Sequence, residues 1–117
     1  MIFAFEIPDL PKMPNSLLRK HWSVIMKERK KWHGLVGLCC IKYQGETLQK
    51  AKLKLTRYST RQPDFDGLAG SFKFVQDSLV KSKVIIDDKP SVIDVTYAWE
   101  KCKLDEQRIR VEVWPWH

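Results

Sequence analysis

No apolar run in this 117-residue chain approaches the roughly 20 residues needed to cross a bilayer. The opening residues, Met-Ile-Phe-Ala-Phe-Glu-Ile, have neither the basic start nor the long apolar stretch of a secretion signal. Cysteine is scarce: there are 3, and Cys39 and Cys40 are adjacent, which suits a reducing compartment and excludes a disulfide framework. A cytoplasmic protein without membrane association is therefore expected. The 3 histidines, His21, His33 and His117, lack mutual metal-ligand spacing, and His33 with Cys39 and Cys40 makes no zinc pattern. Cys40 and Cys102 have no sequence neighbour that would activate a thiol. No repeat, low-complexity tract or linker interrupts the chain, so residues 1–117 read as one domain.

What is present is apolar and basic. A chain that is 44% hydrophobic folds around a core rather than staying disordered. Its 21 Lys and Arg against 14 Asp and Glu leave a formal charge of +7, which favours a polyanionic partner through counterion release.

Alternation of Phe3, Phe5 and Ile7 predicts a first strand over 2–7, and Pro8, Pro11 and Pro14 an extended loop after it. A long helix is expected from an N-cap at Asn15 or Ser16 to about Ile41, with Leu18, Trp22, Ile25, Trp32, Val36 and Cys39 on its core face. Its other faces carry Arg19, Lys20, Lys27, Arg29, Lys30 and Lys31. A second strand at 51–58 turns Ala51, Leu53 and Leu55 inward and Lys52 and Lys54 outward. A second helix over 66–82 follows Leu68, Phe72, Val75 and Leu79. Val84-Ile85-Ile86 reads as a short strand, and two final strands are expected at 92–99 and 108–114. The order β-α-β-α-β-β predicts a two-layer α+β fold, with two main helices on a mixed sheet. Trp114 and Trp116, flanking Pro115, either pack on the domain, cover a dimer surface or stack on a base.

The segment with chemistry is Asp64-Phe65-Asp66, then Lys73, Asp77-Ser78-Leu79 and Asp87-Asp88. Hard divalent cations such as Mg²⁺ take oxygen ligands and retain waters, so two or three carboxylates suffice. Asp64 and Asp66 alone fit a solvated loop better than a metal site, and Lys73 with Asp77 fits an exposed i,i+4 pair. On a continuous helix, however, Asp66, Gly70, Lys73 and Asp77 share one face opposite the core residues. Asp87-Asp88 then follow a strand that would return towards that helix.

This pattern resembles the RusA-like Holliday junction resolvases. That family shows an Asp-x-Asp-Asn motif opening a helix, a lysine within it, an Asp-Ala-Leu-type triplet and a terminal Asp-Asp. Pro14-Asn15, followed by Leu-Leu-Arg-Lys-His-Trp, is similar to the start of phage-borne relatives. The resemblance implies a crossover junction endodeoxyribonuclease of DNA recombination and repair. Asp64, Asp66 and Asp88 would hold Mg²⁺, with Asp87 as an alternate or supporting ligand, and Lys73 would offset charge on the phosphoryl group. The implied products carry 5′-phosphate and 3′-hydroxyl ends. Paired nicks in a four-way junction imply a homodimer. Arg19, Lys20, Lys27, Lys30, Lys31 and Arg61 are the expected DNA contacts.

Two positions depart from the family. Gly67 stands where asparagine is usual, and Lys73 follows Asp66 by seven residues instead of four. On a helix that change turns the lysine by about 60° and moves it about 4.5 Å along the axis. Either residues 67–70 form a loop before the helix, or the site is rearranged. Rival readings are a branched-DNA-binding protein without catalysis, a flap or fork endonuclease, and an RNA-associated module whose aspartates only bind solvent.

Overall fold

The sheet is built from strands whose alternate residues are apolar. In the computed structural model, which describes residues 1–116, these are β1 (Phe3–Ile7), β2 (Ala51–Ser59), β3 (Ile93–Lys101) and β4 (Arg108–Pro115). Their spatial order is β1-β4-β2-β3. β4 runs antiparallel to β1 and β2, while β2 and β3 are parallel. Register aligns Leu53 with Val113 and Leu55 with Val111, so one face becomes a continuous apolar layer. Lys52, Lys54, Asp94 and Thr96 occupy the other face, in solvent. The fold is thus α+β with a four-stranded mixed sheet and the expected order of strands and helical regions. No helix among the described residues is long and apolar enough to cross a membrane. His117 lies outside the described residues.

Both expected helices are broken. The first divides into α1 (Pro14–Leu17) and α2 (Trp22–Cys40), because Arg19 takes a left-handed backbone, φ 64°. Pro14 opens α1 and Met13 precedes it as N-cap, so neither Asn15 nor Ser16 caps that helix. His21 caps α2 instead, its Nδ1 accepting from the Ser23 N–H at 3.1 Å. The core stripe of α2 is Glu28, Trp32, Val36 and Cys40, a strict i,i+4 row. Leu18 and Trp22, expected in the core, are 67% and 69% exposed: Leu18 lies before the break, and Trp22 is the first residue of α2, in turns that extend beyond the core. Ile25 and Cys39 are only half-buried. Buried Glu28 is satisfied by the Trp32 indole N–H, which donates at 2.9 Å.

The second helical region divides at Phe72 into α3 (Phe65–Ser71) and α4 (Lys73–Lys81). Leu68, Phe72, Val75 and Leu79 are all buried as expected, so the break preserves the core face. α4 packs on α2 and α3 on β3. α4 stops at Lys83, whose left-handed φ of 62° supports a Schellman closure. There Val84 N–H donates to Leu79 C=O at 3.1 Å and Lys83 N–H to Val80 C=O at 3.0 Å. Val84-Ile85-Ile86 forms no strand of its own; Ile85 makes a single parallel bridge to Leu48. Its buried Val84 and Ile85 anchor the chain that leads to Asp87 and Asp88.

Candidate active site

Asp64 ends the loop after β2 and stands at the N-cap of α3, with backbone φ −69° and ψ 163°. An N-cap aspartate ordinarily accepts from the first turn of its helix. Here the carboxylate makes no capping bond, and only the Asp64 carbonyl engages the helix, accepting from Leu68 N–H at 2.9 Å. Asp66 follows within the first turn, exposed. Neither carboxylate is ion-paired among the described residues. Together with Pro14, Asn15 and Gly67 they line an open cleft of about 300 Å³.

That cleft exists because α1 rests on α3 through two glycines. A Cβ at Gly70 would lie 2.5 Å from Pro14 Cγ. One at Gly67 would lie 2.5 Å from Asp64 Oδ1 and 2.6 Å from Met13 Cε. Gly67 is therefore more than a missing asparagine: any side chain there must displace the Asp64 carboxylate as it now stands. Asn15, from α1, lines the same cleft. Expected as a helix cap and as part of the Pro14-Asn15 likeness to phage-borne relatives, it lies instead inside α1, the helix that docks on α3.

The other acids form a second group. Lys83 reverses the chain after α4, and the Leu48–Ile85 bridge fixes its path, so Asp88 comes beside Asp77. Burial, then the hydrogen bond and negative charge of Asp77, then Asp87, push the Asp88 carboxyl above its ordinary range. The Asp88 backbone N–H donates to Asp87 Oδ1 at 2.7 Å, and Lys89 Nζ stands 4.0 Å from Asp87 Oδ2. His33, half-buried on α2, lies near Asp77 and Lys81; burial and then the Lys81 charge hold its imidazole below the usual range.

The expected ligand set is thus found in two places, Asp64 with Asp66 and Asp87 with Asp88. Among the described residues no three His, Cys, Asp or Glu side chains converge as a metal-holding group. Lys73 is exposed at the first position of α4, free of any carboxylate within ion-pair distance among the described residues. The three extra residues before it do not form a loop at 67–70. They are helical, and the chain breaks at Phe72 instead.

The expected DNA contacts are all exposed: Arg19, Lys20, Lys27, Lys30, Lys31 and Arg61. Arg19 and Lys20 lie in the α1–α2 link rather than on a helix face. Lys31 is bound to Asp9 at 2.8 Å, which raises the lysine's pKa and leaves it least available. Lys27 and Lys30 flank exposed Trp22 and Met26 along one open groove of α2. Trp116 lies against the Lys50 ammonium, 5.6 Å from ring to Nζ, and Trp114 lines a groove with Lys52 and Lys54.

No protein-family model matches the chain, and no curated protein matches it.

Proposed function

We propose that this protein is a magnesium-dependent endodeoxyribonuclease of the RusA-like type, cutting branched DNA and resolving four-way junctions by paired nicks. The observation that carries the reading is the cleft in which Asp64 and Asp66, neither capped nor ion-paired, meet Asn15 on a protein of charge +7. Exposed unpaired carboxylates repel a polyanion, so their presence on a basic surface calls for a cation between acid and phosphate. Mg²⁺ is commonly held by one or two carboxylates together with substrate phosphates and waters. Asp64 and Asp66 alone suit that ion and would hold it; Asp88 and Asp87, the remaining family-implied ligands, stand apart from them beside Asp77. When bound, the ion supplies an activated water and charge stabilisation at the scissile phosphate.

The chain's own residues orient and neutralise. Asn15, in the same cleft as Asp64 and Asp66, is a polar group available to the phosphodiester or a bound water. Lys73 supplies positive charge to the phosphoryl oxygens or the leaving group. Lys20, Lys27, Lys30 and Arg19 hold the flanking backbone, and two copies of the chain as a homodimer present two sites to the two strands nicked. The decisive experiment compares four-way, fork and linear DNA on a gel, with and without Mg²⁺. Symmetric magnesium-dependent nicks in the four-way substrate support the reading; cutting confined to forks makes this a fork endonuclease.

The separation of the two acid pairs favours one second reading, a branched-DNA-binding protein without catalysis. It is supported by retarded junction bands that magnesium never converts to nicked products.

A further inference from the structure

The inward positions of β2 read Ala51, Leu53, Leu55, Arg57, Ser59, so a strand that is apolar for three steps places an arginine at the core face. Arg57 is only 8% exposed. Its guanidinium has five N–H donors. One is used within the protein: Nη1 donates to the Pro11 carbonyl at 2.7 Å. No carboxylate stands within ion-pair distance of it among the described residues. Burial alone pushes its pKa down from the usual value. A buried cation without a counter-charge costs several kcal/mol, by order of magnitude, unless an anion arrives to pair with it.

Arg57 is not sealed in. It lines a cleft of about 270 Å³ together with Arg61, Thr60, Gln62 and Gln107. Arg61 is exposed and likewise has no acidic partner among the described residues. The Thr60 backbone N–H donates to Gln107 Oε1 at 3.4 Å, tying the loop that carries Arg61 to the sheet. Met13 lines this cleft too, and its Cε approaches the Gly67 position beside Asp64. The arginine cleft and the aspartate cleft are neighbours across one methionine.

We propose that the Arg57–Arg61 cleft binds a phosphate group of the nucleic-acid backbone, adjoining the one at Asp64 and Asp66. Two guanidiniums, one rigid in the wall and one on a loop, suit a tetrahedral oxyanion through paired charge-assisted hydrogen bonds. The site rests on the nuclease reading for its source of phosphate, but its anion chemistry stands apart from it. The bond to Pro11 gives Arg57 a structural duty as well, so Arg61→Gln, at an exposed position, is the cleaner variant.

The test follows the arginine Nε–H resonances of ¹⁵N-labelled protein during titration with inorganic phosphate, against sodium chloride at equal ionic strength. DNA affinity of wild type and Arg61→Gln is then measured as a function of salt, without divalent metal. Phosphate is expected to move the Arg57 and Arg61 signals saturably, and Arg61→Gln to weaken phosphate binding about ten- to a hundredfold, as for one charge-assisted hydrogen bond. The same variant should reduce the log–log salt slope for duplex DNA by about 0.9. An Arg57 resonance that phosphate leaves unmoved overturns the site. Phosphate binding with a DNA affinity indifferent to Arg61→Gln overturns its assignment to nucleic acid. Phosphate binding by a wild type with no affinity for DNA removes the nuclease reading and leaves a pocket for free phosphate esters.

Discussion

Asp88, beyond α4, lies beside Asp77 of that helix, and burial, then the negative charge of Asp77, hold its carboxyl above the ordinary range. A carboxyl whose folded pKa exceeds its unfolded value binds its proton more tightly in the native state. Stability therefore falls as pH rises from the unfolded value of 3.8 through the folded one, and the penalty is complete above it. Asp88→Asn removes the penalty. The variant is expected to be more stable than wild type at pH 7, by a few tenths of a kcal/mol because solvent screens the pair. That advantage should disappear below the unfolded pKa. Urea unfolding at the two pH values measures it, and an equal gain at both would trace the effect to something other than charge. Millimolar Mg²⁺ at pH 7 should narrow the gap, since a cation between the carboxylates relieves the same repulsion in wild type.

Asp64→Asn and Asp66→Asn are each expected to abolish nicking, while junction affinity survives or rises in the absence of metal. The reason is electrostatic: neither carboxylate holds a helix cap or an ion pair, so removing its charge costs the fold little. It does remove repulsion from a phosphate. Single-turnover cleavage and anisotropy on one four-way junction read both effects. A variant that cuts at the wild-type rate takes that aspartate out of the site.

Much of this was legible in the residue pattern, and what was not has identifiable physical causes. Period-two alternation marks β1 and β2, because a half-buried strand must alternate; all four strands fall within two residues of expectation, while the apolar run Val84-Ile85-Ile86, expected as a fifth, forms only a bridge. Helical periodicity gave the buried face of 66–82 correctly and missed the break at Phe72, since Phe72 stays buried on both sides of it. Leu18 and Trp22 fall on the same helical template as Trp32, but Leu18 lies before the break at Arg19 and Trp22 sits at the start of α2, where no residue before Glu28 reaches the core. Arg19 breaks the helix by adopting φ 64°, a conformation for which an arginine offers no sequence signal. Arg57 falls on the inward parity of β2 with Ala51, Leu53 and Leu55, but its burial depends on the long-range contact with the Pro11 carbonyl, which the strand's own sequence does not display. The meeting of Asn15 with Asp64 depends on α1 docking against Gly67 and Gly70, a long-range contact that no local pattern carries.

Those two glycines should separate stability from activity. Gly70→Ala pushes a methyl against the Pro14 ring, a rigid neighbour, and is expected to destabilise by about 1–3 kcal/mol through overpacking. Gly67→Ala meets only the flexible ends of Asp64 and Met13, which can move aside. Its stability should be unchanged or higher by up to about 1 kcal/mol, from better helix propensity. Cleavage should nevertheless fall, because the Asp64 carboxylate is displaced from the cleft. Denaturation midpoints beside nicking rates test the pair; a Gly67→Ala protein with full activity would show that the present Asp64 position is not the working one.

Lys73 gives the sharpest separation of folding from catalysis. It occupies the first position of α4, where a cation opposes the helix dipole at a cost of about 0.3–1 kcal/mol at the surface. It has no carboxylate partner among the described residues, and its neighbours Phe72 and Val75 are buried without it. A residue badly placed for stability and free of ion pairs is a candidate for function. Lys73→Ala is therefore expected to leave the unfolding midpoint unchanged or slightly raised. Turnover should fall by about two to three orders of magnitude, as when one preorganised charge is lost from a transition state. Junction affinity should change little, one phosphate contact among many being modest. Lys73→Arg keeps the charge and should recover part of the rate. Normal cleavage by Lys73→Ala, with activity lost instead in Lys81→Ala or Lys83→Ala, would move the catalytic cation to the end of α4, beside Asp77 and Asp88.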